Sequence, residues 1–415
     1  MIFMVLKKWF EIAFGNAACI RPCHTSISCK AWLSLPLFCL GSALGGHVLP
    51  ALQEKNPPPV GTNAASKSNA SPDSNSLPDE NRITGGDSSG ANQPQSIIVV
   101  QGAAGTEEFE AEFRETCSLV RDAARKSDSD FCWIGAASVP ENQAGTNKDS
   151  GRGTNVTRKT DKQQLRTAVE ARHDGNSQLW IILVGHGTYD RKHAKFNLRG
   201  PDVSAQELNQ WLEKSKRPVA IINCSSSSAP FINQLAVPGR VVVTATKSGF
   251  ELNYAKFGLY FAKALSDLEA DIDKDEQVSL LESFLSASRK VEEFYRSESR
   301  LATEHALIDD NGDGKGTPLG FFQGVQVIKR SADASLPDGP LANQIHLIQS
   351  EFEKRVSAEN RRLRKKLELQ IETLRTQKGE LQEEDYFRQL EEITLKLAKL
   401  YQSIEQEKKK ETRTP

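Results

Sequence analysis

LWIILVGHG at 179–187 and VAIINCSSSS at 219–228 are the two stretches on which the reading of this chain turns. Each opens with an unbroken apolar run, rich in branched side chains and closed by glycine or serine. Runs of that length read as strands buried on both faces. The first stops at Gly185-His186-Gly187 and the second at Asn223-Cys224. Between them, 204–214 carries a capping box, Ser204 with Glu207, and reads as a helix. Further apolar runs lie at 97–100, 131–134 and 240–244, alternating with helical patterns at 107–125, 161–172 and 253–268. Strand and helix in alternation predict an α/β fold, a mostly parallel sheet flanked by helices. In such sheets functional groups gather beyond the carboxyl ends of the strands. His186 and Cys224 share that placement.

A thiolate attacks a carbonyl well when a neighbour takes its proton and N–H groups hold the oxyanion. His186 between two glycines suits the general base or acid, and Cys224 the nucleophile. The N–H groups of Gly187 and Cys224 are the candidate oxyanion donors. The serines after Cys224 are expected to lead into a helix, whose N-terminus would lower the thiol pKa.

The blocks IILVGHG at 181–187 and VAIINC at 219–224, with VVVTATKSGFELNYAKFG at 241–258, resemble the legumain–caspase superfamily of cysteine peptidases, and within it the bacterial legumain-like proteins. The resemblance spans 97–327. It implies a caspase-like fold and a cysteine endopeptidase, exported by the N-terminal segment read below, working through His186, Cys224 and an acyl-enzyme thioester, with a protein or peptide as substrate and no cofactor needed for the chemistry. Two readings stand beside it: a catalytically silent caspase-like scaffold, or a transpeptidase or ligase using the same dyad. Asn223 departs from the legumain pattern, which usually has Ala preceded by Glu before the Cys, and the serine run is unusual. Asp190, Asn223 and Glu251 are the expected substrate-binding residues, and an acidic pocket would favour Arg or Lys before the scissile bond. Against this, Asp190 suits a turn cap and Glu251 a solvated site.

Two acidic loops fit a calcium template in part. Asp271, Asp273, Asp275, Gln277, Ser279 and Glu282 fall at positions 1, 3, 5, 7, 9 and 12, with Glu276 where the turn glycine belongs. Asp309, Asn311, Asp313 and Gly314 begin the same template but meet Gly320 at position 12. Structural Ca²⁺ is the expected ligand of either, and metal-free acidic loops are the alternative.

The remaining organisation follows from composition. Residues 1–46 combine basic residues with a short uncharged apolar run, the pattern of a cleaved export signal or a membrane anchor. The protein is then periplasmic or extracellular, or tethered at its N-terminus. Residues 47–95, rich in Pro, Ser, Asn and Gly, read as a disordered linker, 96–330 as the peptidase-like domain, and 138–158 within it as a polar surface loop. Residues 331–415 carry leucines and isoleucines at helical spacing and read as a helical hairpin folding back near Gly379, or as one long coiled-coil helix. That region suits self-association, partner docking or a prosegment. Of seven cysteines, signal cleavage leaves Cys117, Cys132 and Cys224: either a Cys117–Cys132 disulfide with Cys224 free, or three reduced thiols. A net charge of −1 and the lack of any basic aromatic strip, phosphate loop or zinc spacing exclude nucleic-acid, kinase and zinc readings.

Overall fold

A computed structural model describes residues 94–136, 159–329 and 337–411. The chain divides into two units, 1–87 and 88–415, and every described residue belongs to the second. The export segment at 1–46, the linker at 47–95 except Pro94 and Gln95, and the polar loop at 138–158 lie outside the described residues. Among the described residues no helix is long and apolar enough to cross a membrane.

In chain order the elements are β1 (Ser96–Gln101), α1 (Glu107–Lys126), β2 (Asp130–Ile134), α2 (Asp161–Glu170), β3 (Leu179–Val184), β4 (Gly187–Tyr189), β5 (Ala194–Phe196), β6 (Val203–Ser204), α3 (Ala205–Leu212), β7 (Val219–Asn223), α4 (Pro230–Leu235), β8 (Arg240–Thr244), α5 (Phe257–Ala264), α6 (Leu280–Ser297), β9 (Leu307–Asp309), β10 (Thr317–Pro318), β11 (Phe322–Gln323), β12 (Gln326–Val327), α7 (Glu351–Arg355), α8 (Ala358–Thr376) and α9 (Glu383–Glu411). The main sheet has the order β10-β9-β8-β7-β3-β1-β2. Neighbours from β8 to β2 are parallel, and β9 and β10 extend it antiparallel. This is the α/β class expected, a mainly parallel sheet flanked by helices and followed by a helical hairpin.

Strand alternation builds two cores. Trp180, Ile182, Ala220, Ile222, Val241 and Val243 face one side, where α1, α5 and α6 pack. Leu179, Ile181, Leu183, Val219, Ile221 and Val242 face the other, against α2, α3 and α4. Helix α1 has Thr106 as N-cap, acids in its first turn and Arg125-Lys126 in its last, in line with the helix dipole. Ser204 and Glu207 form the expected capping box on α3. The stretch from His186 continues into a small antiparallel sheet, β4-β5-β6. Its Phe196 ring lies against Gly185, where a Cβ would come within 3.0 Å of it.

Several expectations change. The helix read at 253–268 shrinks to α5, because the Glu304 carboxylate accepts the N–H groups of Lys256 and Phe257 (2.9 and 3.0 Å) and fixes its start there. Cys117, Cys132 and Cys224 are all free thiols, so the disulfide alternative is set aside. Cys117 lies on the core-facing side of α1, whereas Cys132 packs against the core on the opposite face of the sheet. The linker limit at 95 moves inward: Gln95 accepts from the Trp180 indole at 2.7 Å and donates to the His346 carbonyl at 2.9 Å.

The C-terminal region is the hairpin and not the single helix. α8 and α9 are broken at 377–382, next to Gly379. Leu367, Ile371 and Leu374 of α8 are buried, as are Tyr386, Leu390, Leu397, Leu400 and Ile404 of α9. Arg364 of α8 makes a bidentate pair with the buried Glu353 of α7, both distances 2.7 Å.

Candidate active site

His186 and Cys224 lie just past the ends of neighbouring strands. β3 and β7 pair with Leu183 opposite Asn223. Even-numbered residues of both strands face the α1–α5–α6 side, so the two candidate residues leave the sheet on the same face.

His186 is half-buried among aromatic rings: Phe109 at 4.8 Å, Phe113 at 5.2 Å and Tyr254 at 6.0 Å between centroids. The Ala104 carbonyl near the ring acts to raise the His186 pKa. Burial lowers its pKa and outweighs the opposing pull of that carbonyl. Neither Ala104 nor the aromatic cluster was read from the sequence. Ala104 follows β1, whose Gln101 pairs with Val184, so the parallel register was the signal that brings it beside His186. Tyr254 stands in the quoted block at 241–258.

Cys224 is placed differently from expectation. It is 2% exposed, and a Cβ on Gly258 at the start of α5 would lie 2.7 Å from its Cβ and 3.2 Å from its Sγ. Its thiol pKa is pushed far up, first by burial and then by the Glu304 carboxylate. The helix that begins beside it is α5, whose Lys256 and Phe257 N–H groups are already taken by Glu304, and the serine run does not lead directly into a helix. α4 starts only at Pro230 and has no side-chain cap, so the lowering of the thiol pKa expected from a helix after the serines is not found, and the shift is upward.

Both expected oxyanion donors are engaged within the fold. The Cys224 N–H donates to the Leu183 carbonyl at 2.9 Å, extending the β3–β7 ladder by one residue. The Gly187 N–H donates to Ser226 Oγ at 3.2 Å. The serine run forms a buried knot. Ser225 donates from N–H and Oγ to Asn223 Oδ1 (3.1 and 2.7 Å), Ser227 donates its N–H to the Glu251 carbonyl at 2.9 Å, and Ser228 Oγ accepts from the Thr246 N–H at 3.2 Å. The Ser225 hydroxyl and Ser226 carbonyl press so closely on Gly187 that no side chain fits there.

The expected substrate pocket does not assemble. Asp190 is exposed and accepts the N–H groups of His193 (2.7 Å) and Lys192 (2.9 Å), which pull its pKa down to about 2. It is a turn cap. Glu251 is neither a pocket wall nor solvated: Oε1 meets His305 Nδ1 at 2.6 Å, and Oε2 accepts the N–H groups of Lys247 (2.9 Å) and His305 (3.2 Å). Asn223 is fully buried. An open cleft of about 400 Å³ is lined by Ala104, Glu107, Glu110 and Arg199 among others, with Glu110 and Arg199 paired at 2.8 Å.

In the first acidic loop the carboxylates of Asp271, Asp273 and Asp275 lie within 4.8 Å of one another. Glu276 adopts the left-handed conformation that the template assigns to glycine, φ +69°. The other expected ligands are turned away. Glu282 caps α6 through Ser279 and accepts the N–H groups of Ile272 and Asp273, while Gln277 Oε1 takes the N–H of Ser350. Asp309, Asn311 and Asp313 remain together in the loop after β9.

No family model matches this chain, and no curated protein matches it. Among solved structures it is similar to the initiator caspase Dronc of Drosophila, at 13% identity and a TM-score of 0.35, covering 55% of this chain and 85% of that one. That likeness is too distant to add to what the chain's own topology shows.

Proposed function

We propose that this chain uses a peptidase-type α/β fold as a binding or scaffold module, with Cys224 serving as a packing residue. The burial of Cys224 carries this reading. Gly258, which closes on it, is a core-facing part of helix α5 and not of a loop that can swing aside. A thiol so placed holds its proton, and the thiolate is the nucleophile. The engaged N–H groups of Gly187 and Cys224 support the same view, since an oxyanion hole needs donors aimed at the reacting oxygen. Phe250 and Leu252, each 65% exposed beside Glu251, offer an apolar contact at the carboxyl edge of the sheet for a protein or peptide partner, and the C-terminal hairpin offers a second.

The runner-up is the exported cysteine endopeptidase, or a ligase using the same acyl-enzyme, related to the legumain-like proteins. The placement of His186 and Cys224 just past the ends of the paired strands β3 and β7, on one face of the sheet, favours it, because a nucleophile and a base must stand close together for such chemistry. Purified protein, full-length and lacking the C-terminal hairpin, decides between the two when offered a peptide library beside a Cys224→Ala control. The scaffold reading predicts no Cys224-dependent product and no labelling of Cys224 by a thiol-directed probe until the protein unfolds. Cleavage or ligation that vanishes in Cys224→Ala establishes the enzyme.

A further inference from the structure

The loop joining β9 to β10 gathers carboxylates, one of them buried. Asp309, at the end of β9, is fully buried. Its Oδ1 accepts the Gly312 N–H at 3.0 Å, but its Oδ2 has no hydrogen-bond partner. The N–H groups of Gly314 and Lys315 also act on this carboxylate, without reaching hydrogen-bond geometry at Oδ2. The unpaired oxygen therefore belongs to a side chain facing into the loop. Asn311 Oδ1 accepts from the Asp313 N–H, and Asp313 Oδ1 from the Lys315 N–H, both at 2.8 Å. Gly312 and Gly314 turn the chain at φ +81° and +76°.

Two more buried carboxyls stand behind Asp309. Asp338 accepts the N–H groups of Asp310 and Asn311 (2.9 and 3.2 Å) and the Thr317 hydroxyl (2.6 Å). Asp310 in turn accepts the N–H groups of Gly339 and Ala342 (2.9 and 2.8 Å). Among the described residues no Lys, Arg or His forms an ion pair with any of the three. Asp310 and Asp338 have donors on both oxygens; Asp309 Oδ2 has none. Buried carboxylates are paired, neutralised or bound to a metal.

We propose that this loop binds a Ca²⁺ ion, held by Asp309 Oδ2 with the side-chain oxygens of Asn311 and Asp313 and completed by water. All the donors are oxygen, at positions 1, 3 and 5 of a turn whose position 6 is Gly314, which suits a hard cation with flexible coordination better than Mg²⁺. Gly320 at position 12 supplies no bidentate carboxylate, which places the site among weak ones, with Kd on the order of 10⁻⁴–10⁻³ M. The first acidic loop lacks the same support, since Asp271 already accepts the N–H groups of Lys274, Asp275 and Glu276, and Glu282 caps α6. The proposal is independent of what Cys224 does.

The test is the melting temperature of the full-length protein in EGTA and in about 10 mM Ca²⁺, the range such weak sites need. Asp313→Asn, at an exposed position that tolerates the change, runs beside it, with Asp273→Asn as the control in the other loop. Ca²⁺ is expected to raise the melting temperature of the parent and of Asp273→Asn by several degrees, and Asp313→Asn is expected to need about tenfold more Ca²⁺ for the same rise. No rise in the parent, an undiminished rise in Asp313→Asn, or a rise lost only in Asp273→Asn overturns the proposal.

Discussion

At the residue scale the decisive contrast is between a histidine half-buried among aromatic rings and a cysteine that is sealed. Burial lowers the His186 pKa below 6.5, so the unfolded chain binds more protons than the folded one as pH falls below that value. The stability His186 contributes is whole above pH 6.5, erodes below it and is gone once the pH has passed the folded-state value. Urea unfolding at pH 7.5 and pH 5 should therefore show a larger acid loss in the parent than in His186→Gln; an equal loss would assign the acid sensitivity to other groups. Cys224→Ala should cost about 1 kcal/mol in the same assay, as a buried sulfur is lost from a packed site. The sequence revealed that His186 and Cys224 end neighbouring strands on one face, because alternation along an apolar strand fixes direction. It did not reveal that Gly258, 34 positions further on, closes over Cys224. Nor did it show Glu304 reaching back to Lys256 and Phe257. Such contacts join residues that no local pattern relates.

The elements show where local chemistry predicts well and where it stops. Capping boxes placed α3 within a residue or two, since their partners lie three positions apart. The start of α5 was missed because its cap is remote. At Gly258 an added methyl meets both Cys224 Cβ and Sγ, so Gly258→Ala should destabilise by about 1–3 kcal/mol, the range of overpacked cores. A chemical denaturation curve checks this, and a neutral result would mean that α5 can shift away from β7. Arg364 and Glu353 tie α8 to α7 while little exposed, at 11% and 5% of the side chain. Arg364→Ala should cost about 3–5 kcal/mol by stranding Glu353, whereas replacing both with apolar residues of similar volume should be nearly neutral. Equal losses in the single and double variants would show that the pair is not acting as a charge pair.

Across the molecule as a whole, the class of fold was legible because each strand is a continuous apolar run and each helix an amphipathic one. The short strands β9 to β12 were not, being two or three residues long and too short to carry a period. The C-terminal hairpin packs chiefly on itself and reaches other elements through polar ties such as Arg375 to Gln326 at 2.7 Å and Gln344 to the Lys365 carbonyl at 3.2 Å. Hydrogen exchange should accordingly show α8 and α9 opening before β1, β3 and β7, and equal protection would make the hairpin part of the same cooperative unit. The sheet order has a consequence for how the chain is made. β1 and β2 are neighbours, β3 joins on the free side of β1, and β7, β8, β9 and β10 follow outward in the order of synthesis. A ribosome releasing this chain presents each new main-sheet strand to an edge that already exists, so the main sheet can grow on the nascent polypeptide one strand at a time, with no earlier pair having to part to admit a later one.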